Sequence, residues 1–388
     1  MYKKKYKIAV ITSTRADFGL LRPVIDELNK FDVETKLIVT GTHLSKNFGL
    51  TKEEIISLGY SVDFEVPLPM DLTDNTKLLF KEAFNGFSSL FNENSFDLLV
   101  VLGDRFEILS ASLAAFLSDI PIAHISGGDV TTGAKDDAFR HCITKLSYLH
   151  FSSTEEARTR IIQLGESPDR VFFVGGLGAE NIEKISLVTP DELSKRFDFD
   201  FNQRFLLVTF HPETLGGDLD KDIEALLSAL DSVNIPVLFT KANADEGGMF
   251  INKKITDFCN DRPSSILVDS LGTINYLSAM KYCLAMVGNS SSGIVEAPSF
   301  KVPVVNIGNR QKGRVQGENT INCKPVFEEI KKSISLAISA EFKAKIKEMK
   351  SPYYREATSE NIAEKIYAFL VSGIEGLSKD FYDWSLPL

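Results

Sequence analysis

Cysteine is scarce, with four in 388 residues, and Cys142, Cys259, Cys283 and Cys323 stand far apart with no CxxC or zinc-type spacing. That excludes a disulfide scaffold and a cysteine-based zinc centre, and it fits reduced thiols in a cytoplasmic protein. Histidine is nearly as rare, at five, and forms no HExxH motif. The one acidic triplet with a divalent-cation look, Asp198-Phe199-Asp200, falls in a presumed linker, so no metal is expected. Long apolar runs are missing as well. The basic start, Met1-Tyr2-Lys3-Lys4-Lys5-Tyr6, leads into Ile8 to Ile11, which is only a strand's length, so neither a signal peptide nor a membrane span is expected. There is no long basic run and the net charge is −10, which argues against nucleic acid as a partner. An anionic ligand must therefore be held by local cations and backbone. No strand carries the full dinucleotide glycine fingerprint, because Gly176-Leu177-Gly178 leads to Asn181 instead of glycine, so no cofactor is expected. A serine nucleophile elbow is absent too.

What is present is alternation. Short unbroken Val/Ile/Leu runs (Ile8 to Ile11, Leu37 to Val39, Leu98 to Leu102, Ile120 to Ala123) are separated by amphipathic stretches such as Leu20 to Leu28, Phe106 to Leu117 and Asp136 to Leu146. Such runs predict strands of a parallel sheet covered by helices on both faces. A second set follows from Phe205 through Val237 to Phe239, Ile266 to Val268, Cys283 to Val287 and Val302 to Ile307. With 44% hydrophobic residues the chain can bury two cores. The expected architecture is α/β, two Rossmann-like doubly wound parallel-sheet domains with the ligand in the cleft between them. The expected boundaries are 1–182 for the first domain, 183–203 for a linker with a short helix, and 204–355 for the second. Residues 356–388 form a C-terminal helix and tail that crosses back towards the first domain.

Polar clusters follow directly on the strand-like runs. Gly288-Asn289-Ser290-Ser291-Ser292-Gly293 sits between two apolar runs and reads as a small-residue loop opening a short helix. It suits either phosphate binding, through hydroxyls, amides and the helix dipole, or an ordinary serine cap. Glu296, roughly one and a half turns into that helix, is placed to accept from ribose hydroxyls, and Arg310 and Arg314 to reach a diphosphate. In Thr12 to Leu21, Arg15 either clamps a phosphate or pairs with Asp17 in a solvated loop. His43 lies in a glycine turn, and His211 follows the strand Phe205 to Val208. Gly103-Asp104-Arg105-Phe106-Glu107 either caps a helix or contributes a carboxylate to a site. Asp129, Asp136, Asp137, Arg140 and His141 form a polar cluster too dense for capping alone.

Taken in order, Thr14-Arg15-Ala16-Asp17, Gly103 to Glu107, His124-Ile125-Ser126-Gly127-Gly128-Asp129, Asp136 to His141, His211-Pro212-Glu213-Thr214, Gly288 to Gly293 and Gly308-Asn309-Arg310-Gln311 resemble the hydrolysing UDP-N-acetylglucosamine 2-epimerases. The likeness runs from about Ile8 to Gln311 and lies nearest the bacterial sialic- and legionaminic-acid branch. It implies a glycosyltransferase-B-like fold without nicotinamide and a reaction in which UDP-N-acetylglucosamine and water give UDP and N-acetylmannosamine. By that resemblance Ser290, Ser291 and Glu296 match phosphate and ribose positions, and Arg15, His211 and Arg310 match diphosphate contacts. Asp104 and Asp136 match acidic positions at the sugar, with Arg140 and His43 beside them. Some members carry Glu where this chain has Ser126; Asp129 matches the second acidic residue of that stretch and substitutes for the missing carboxylate, so the group that takes the carbon-2 proton is expected to be Asp104 or Asp129.

The expected catalytic set is thus Asp104, Asp129, Asp136, His211 and Arg140. The expected binding set is Arg15, His43, His211, Ser290, Ser291, Ser292, Gly293, Glu296, Arg310 and Arg314. The expected partner is a nucleotide sugar, with no membrane and a homo-oligomer, dimer or tetramer, by resemblance. Three alternatives remain at this point: the same chemistry on an N,N′-diacetylbacillosamine nucleotide, a glycosyltransferase of the same fold, and a non-catalytic sensor.

Overall fold

The computed structural model describes residues 5–73, 75–131, 135–213, 218–242, 247–373 and 378–384. The chain divides into two compact units: 1–129 with 136–180 and 355–388, and 130–135 with 181–354.

In the first unit seven strands form one sheet: β1 (Tyr6–Thr12), β2 (Val33–Thr40), β3 (Phe64–Val66), β4 (Leu98–Leu102), β5 (Ile122–Ile125), β6 (Leu149–Ser152) and β7 (Val171–Phe173). Their order is β3-β2-β1-β4-β5-β6-β7, and all neighbours run parallel. Central strands of such a sheet are buried on both faces, which is why β1 and β4 are apolar at every core position. Ile8, Val10, Leu98 and Val100 face one side and pack on the helices Arg15–Leu28 and Thr358–Ser372. Ala9, Ile11, Leu99 and Val101 face the other, against Thr76–Glu93 and Phe106–Leu117. The order reverses between β1 and β4, so the turns after them diverge and open the sheet's carboxyl edge, where α/β proteins place ligands.

The C-terminal helix lies in this unit. Ser359 donates through its N–H and its hydroxyl to Glu180, both at 3.0 Å, and Phe31 stacks on Tyr367 at 4.6 Å. The tail beyond is clasped as well. Lys379 Nζ donates to the carbonyls of Lys145 and Ser147 at 2.7 Å and to both oxygens of Glu166 at 2.8 Å. Glu166 is fully buried and also accepts from Lys145 and His150. Burial alone would raise its pKa; the His150, Lys145 and Lys379 bonds outweigh it and hold the group at about 2. Phe381 covers Gly165, whose φ of +85° and lack of a side chain are both required, since a Cβ there would lie 2.3 Å from the ring. Lys379→Met should cost about 2 kcal/mol, since the buried carboxylate keeps two of its three partners. Urea unfolding of wild type and variant checks this. The stabilisation from Glu166 is present above its unfolded value of 4.5 and is lost as pH falls towards 2.

The second unit repeats the plan with six strands: β8 (Leu206–Thr209), β9 (Val237–Thr240), β10 (Ser265–Val268), β11 (Ala285–Gly288), β12 (Val304–Ile307) and β13 (Thr320–Cys323). The order is β10-β9-β8-β11-β12-β13, again all parallel, with its reversal between β8 and β11. Of the stretch 183–203, expected as a linker, Ile185, Leu187, Val188 and Leu193 pack into the core of this unit. The helix Pro190–Arg196 starts with a Thr189/Glu192 capping box, and Phe199 and Phe201 are buried against Phe205. Aromatics at 197, 199, 201 and 205 supply enough apolar area to fold the stretch onto the sheet.

Candidate functional site

In the first unit the polar groups collect at the carboxyl ends of β1, β2, β4, β5 and β6. The turn after β1 is organised by Asp17, which closes a capping box with Thr14. Its carboxylate also accepts from the Ser13 and Thr14 N–H groups and from the hydroxyls of Thr12 and Ser13. Asp17 is therefore spent on the backbone, and Arg15 does not pair with it. Arg15 makes a two-pronged pair with Glu54 instead, Nε to Oε2 at 2.7 Å and Nη2 to Oε1 at 2.8 Å. With both side chains more than a third exposed, that pair is worth about 1 kcal/mol at most and yields easily to a phosphate. His43 is buried between the hydroxyls of Thr12 at 2.9 Å and Thr51 at 2.8 Å. Burial lowers its pKa against the pull of Asp17.

Arg140 is the centre of the acidic cluster. It projects from the helix Asp136–Leu146, is 2% exposed and pairs with Asp104 in the turn after β4. It also lies 3.6 Å from Asp137 and donates to the Asp129 carbonyl at 2.9 Å. One buried guanidinium thus ties together the turns after β4 and β5 and the helix that opens with Asp136. Asp129 is further fixed by Ser153, just past β6, whose hydroxyl lies 3.0 and 3.2 Å from its two carboxylate oxygens. Between them Ser126 sits in a left-handed conformation, φ +64°, which costs a non-glycine residue about 1 kcal/mol. His124 Nε2–H donates to the Gly103 carbonyl at 2.7 Å and so holds the Asp104 turn from below.

In the second unit the groups follow β8, β11 and β12. His211 is buried, and its backbone exchanges two hydrogen bonds with the Asn289 side chain, at 2.7 and 2.8 Å. Glu213 Oε1 accepts from the N–H groups of Asn309 at 2.7 Å and Arg310 at 3.1 Å. The Arg310 guanidinium and the Gln311 amide both donate to the Asn289 carbonyl. Thr214, the last residue of the His211 motif, lies outside the described residues.

The Ser290–Glu296 stretch differs from expectation. It forms two single turns, Ser292–Val295 and Ala297–Phe300, joined at Glu296, because Pro298 lacks an N–H and breaks the continuing helix. A one-turn helix has little dipole to offer an anion. The N–H groups of Gly293 to Glu296 are already bonded within the turn, and the Ser292 N–H donates to the Ser290 hydroxyl at 3.3 Å. Glu296 is only partly covered by area yet closely enclosed. Burial pushes its pKa up to about 8 against its backbone bond and the charge of Arg314, so near neutrality it both donates and accepts. Arg314 donates to the Val130 carbonyl at 3.1 Å and to the Thr131 hydroxyl at 2.9 Å.

Burial presses His211 and His124 down to about 3, in His211 with help from the charge of Arg310. His211 is thus a neutral hydrogen-bonding group at ordinary pH. Both histidines stay neutral in the folded state and take up protons on unfolding, so stability falls as pH drops below their ordinary value of 6.5. At pH 5 the loss should be on the order of 2 kcal/mol for each. Calorimetry at pH 7, 6 and 5 checks it. Among the described residues no cluster of three or more His, Cys, Asp or Glu fits a metal, and no helix is long and apolar enough to cross a membrane.

A family model described as UDP-N-acetylglucosamine 2-epimerase matches residues 26–367. The chain is 41% identical over 326 residues, 82% of its length and 85% of the relative's, to a Campylobacter jejuni protein named GDP/UDP-N,N′-diacetylbacillosamine 2-epimerase (hydrolyzing). It is 36% identical over 383 residues, 97% of both chains, to the Escherichia coli polysialic acid biosynthesis protein P7. Among solved structures, the UDP-GlcNAc 2-epimerase of Neisseria meningitidis bound to UDP-GlcNAc shares the fold, with a TM-score of 0.78 at 20% identity over 95% of this chain and 100% of that one.

Proposed function

This chain belongs to the UDP-N-acetylglucosamine 2-epimerase family, and from that membership we propose that it is a hydrolysing 2-epimerase, converting UDP-N-acetylglucosamine and water to UDP and N-acetylmannosamine for sialic acid-type sugar synthesis. The observation that carries the reading is the acidic cluster around Arg140, which pairs with Asp104, donates to the Asp129 carbonyl and stands on the helix that opens with Asp136.

The hydrogen on carbon 2 of an N-acetylhexosamine is not acidic, so its removal must follow or accompany departure of the diphosphate. In this reading Arg15, His211, Arg310 and the Ser290–Ser292 hydroxyls receive the leaving UDP. Groups of this kind typically contribute about 3 kcal/mol each to a developing charge. The bond from carbon 1 to the diphosphate oxygen breaks, carbon 1 gains cationic character, and Asp129 takes the carbon-2 proton, leaving a glycal. Asp104, kept ionised and oriented by Arg140, faces the cation with its remaining carboxylate oxygen. Water then adds to carbon 1 while a proton returns to carbon 2 on the opposite face, with Asp136 the acid nearest in sequence. Glu296 is assigned the ribose hydroxyls, where its capacity to donate and accept is useful.

A second reading keeps the chemistry and changes the sugar to N,N′-diacetylbacillosamine, favoured by the 41% identity to the Campylobacter jejuni protein. Parallel incubations with the two UDP-sugars, assayed by chromatography for UDP and free sugar, test both. UDP with free N-acetylmannosamine supports the first reading, and turnover of the diacetamido sugar alone supports the second. UDP with free N-acetylglucosamine, or no release from either, contradicts both.

A further inference from the structure

We propose that Asn289 is a positioning residue that holds the nucleotide-binding groups of the second unit in register, acting through His211 and Arg310. The inference rests on the reading that this unit binds UDP. The β8/β11 ladder ends at the pair Thr209 and Gly288. Gly288 has φ +136°, and a Cβ there would lie 2.0 Å from the Thr209 carbonyl oxygen, so only glycine lets the chain turn this close to β8. One residue on, the Asn289 N–H still reaches the Thr209 carbonyl at 3.2 Å. Its side chain then extends the ladder where backbone pairing has stopped. Oδ1 accepts from the His211 N–H at 2.7 Å and Nδ2 donates to the His211 carbonyl at 2.8 Å.

The carbonyl of the same residue is the second anchor. It accepts from Gln311 Nε2 at 2.8 Å and from Arg310 Nη1 at 3.4 Å. Three turns therefore meet on one residue that is only 1% exposed. An amide is the chemistry this position requires, since it supplies one donor and one acceptor at matching reach. Aspartate has the shape without the donor, and serine has neither the reach nor two groups. Because Glu213 already occupies the N–H groups of Asn309 and Arg310, the guanidinium is what Arg310 can offer a diphosphate, and the Asn289 carbonyl is one of the groups it touches.

The test is UDP binding by calorimetry, well below each unfolding midpoint, for wild type, Asn289→Asp and Gln311→Met. Asn289→Asp sets a carboxylate oxygen against the His211 carbonyl and should weaken UDP by about 30-fold; Gln311→Met should weaken it by about 10-fold. The His211 ring resonances should shift in both variants while those of His124, in the other unit, stay put. A merely structural role would lower the unfolding midpoint and leave UDP affinity and the His211 signal of the folded protein unchanged, which overturns the assignment. Should Asn289→Asp not fold, Gln311→Met with wild-type UDP affinity overturns it alone. A wild-type protein that binds no UDP contradicts the functional reading beneath it as well.

Discussion

Asp129→Asn should lower kcat by about 10³, within the range a positioned base contributes, while UDP affinity stays close to wild type. The isosteric amide can still accept from Ser153, and the backbone carbonyl that Arg140 grips is untouched, so the turn after β5 keeps its geometry. What is lost is the capacity to hold a proton taken from carbon 2. Steady-state UDP release, with calorimetric UDP binding as the control for folding, measures both. A variant that keeps more than a tenth of the wild-type kcat would move the base to another carboxylate, Asp104 or Asp136. Asp104 is the weaker candidate on physical grounds, because its charge is already matched by a buried arginine.

Arg140→Met should destabilise the first unit by about 3 to 5 kcal/mol. Methionine fills much of the volume but leaves Asp104 and the Asp129 carbonyl facing an apolar group where a guanidinium was 2% exposed. Most of the loss comes from the orphaned charge and not from the missing attraction. The double variant Arg140→Met with Asp104→Leu should therefore recover a good part of the stability, though not the activity. Urea unfolding of the four proteins in that cycle checks the prediction. Equal losses in the single and double variants would mean that Arg140 acts through packing and the Asp129 carbonyl instead of through the ion pair.

The two sheets were legible because their central strands are continuous Val/Ile/Leu runs, which a strand buried on both faces requires and a half-exposed one does not. The elements that escaped lack that mark. β3 is three residues long, β6 carries His150 at its middle, and β13 reads Thr-Ile-Asn-Cys at a sheet edge. Missing β6 hid Ser153, which gains meaning only as the residue that follows a strand beside Asp129. The helix Thr76–Glu93 carries Leu79, Ala83, Phe87 and Phe91 on one face, but it stands outside the strand-helix rhythm after a short strand and a long loop. The candidate residues were legible as types in a turn, while their partners were not. That Arg15 meets Glu54 and not Asp17, and that Asn289 meets His211 across 78 positions, follows from parallel crossovers that bring distant turns to one edge.

The most direct test is turnover of UDP-N-acetylglucosamine in D₂O followed by proton NMR of the released sugar. Elimination with proton return from solvent predicts free N-acetylmannosamine carrying deuterium at carbon 2, formed in step with UDP. N-acetylmannosamine that retains the original carbon-2 hydrogen, or N-acetylglucosamine released unaltered, would contradict it.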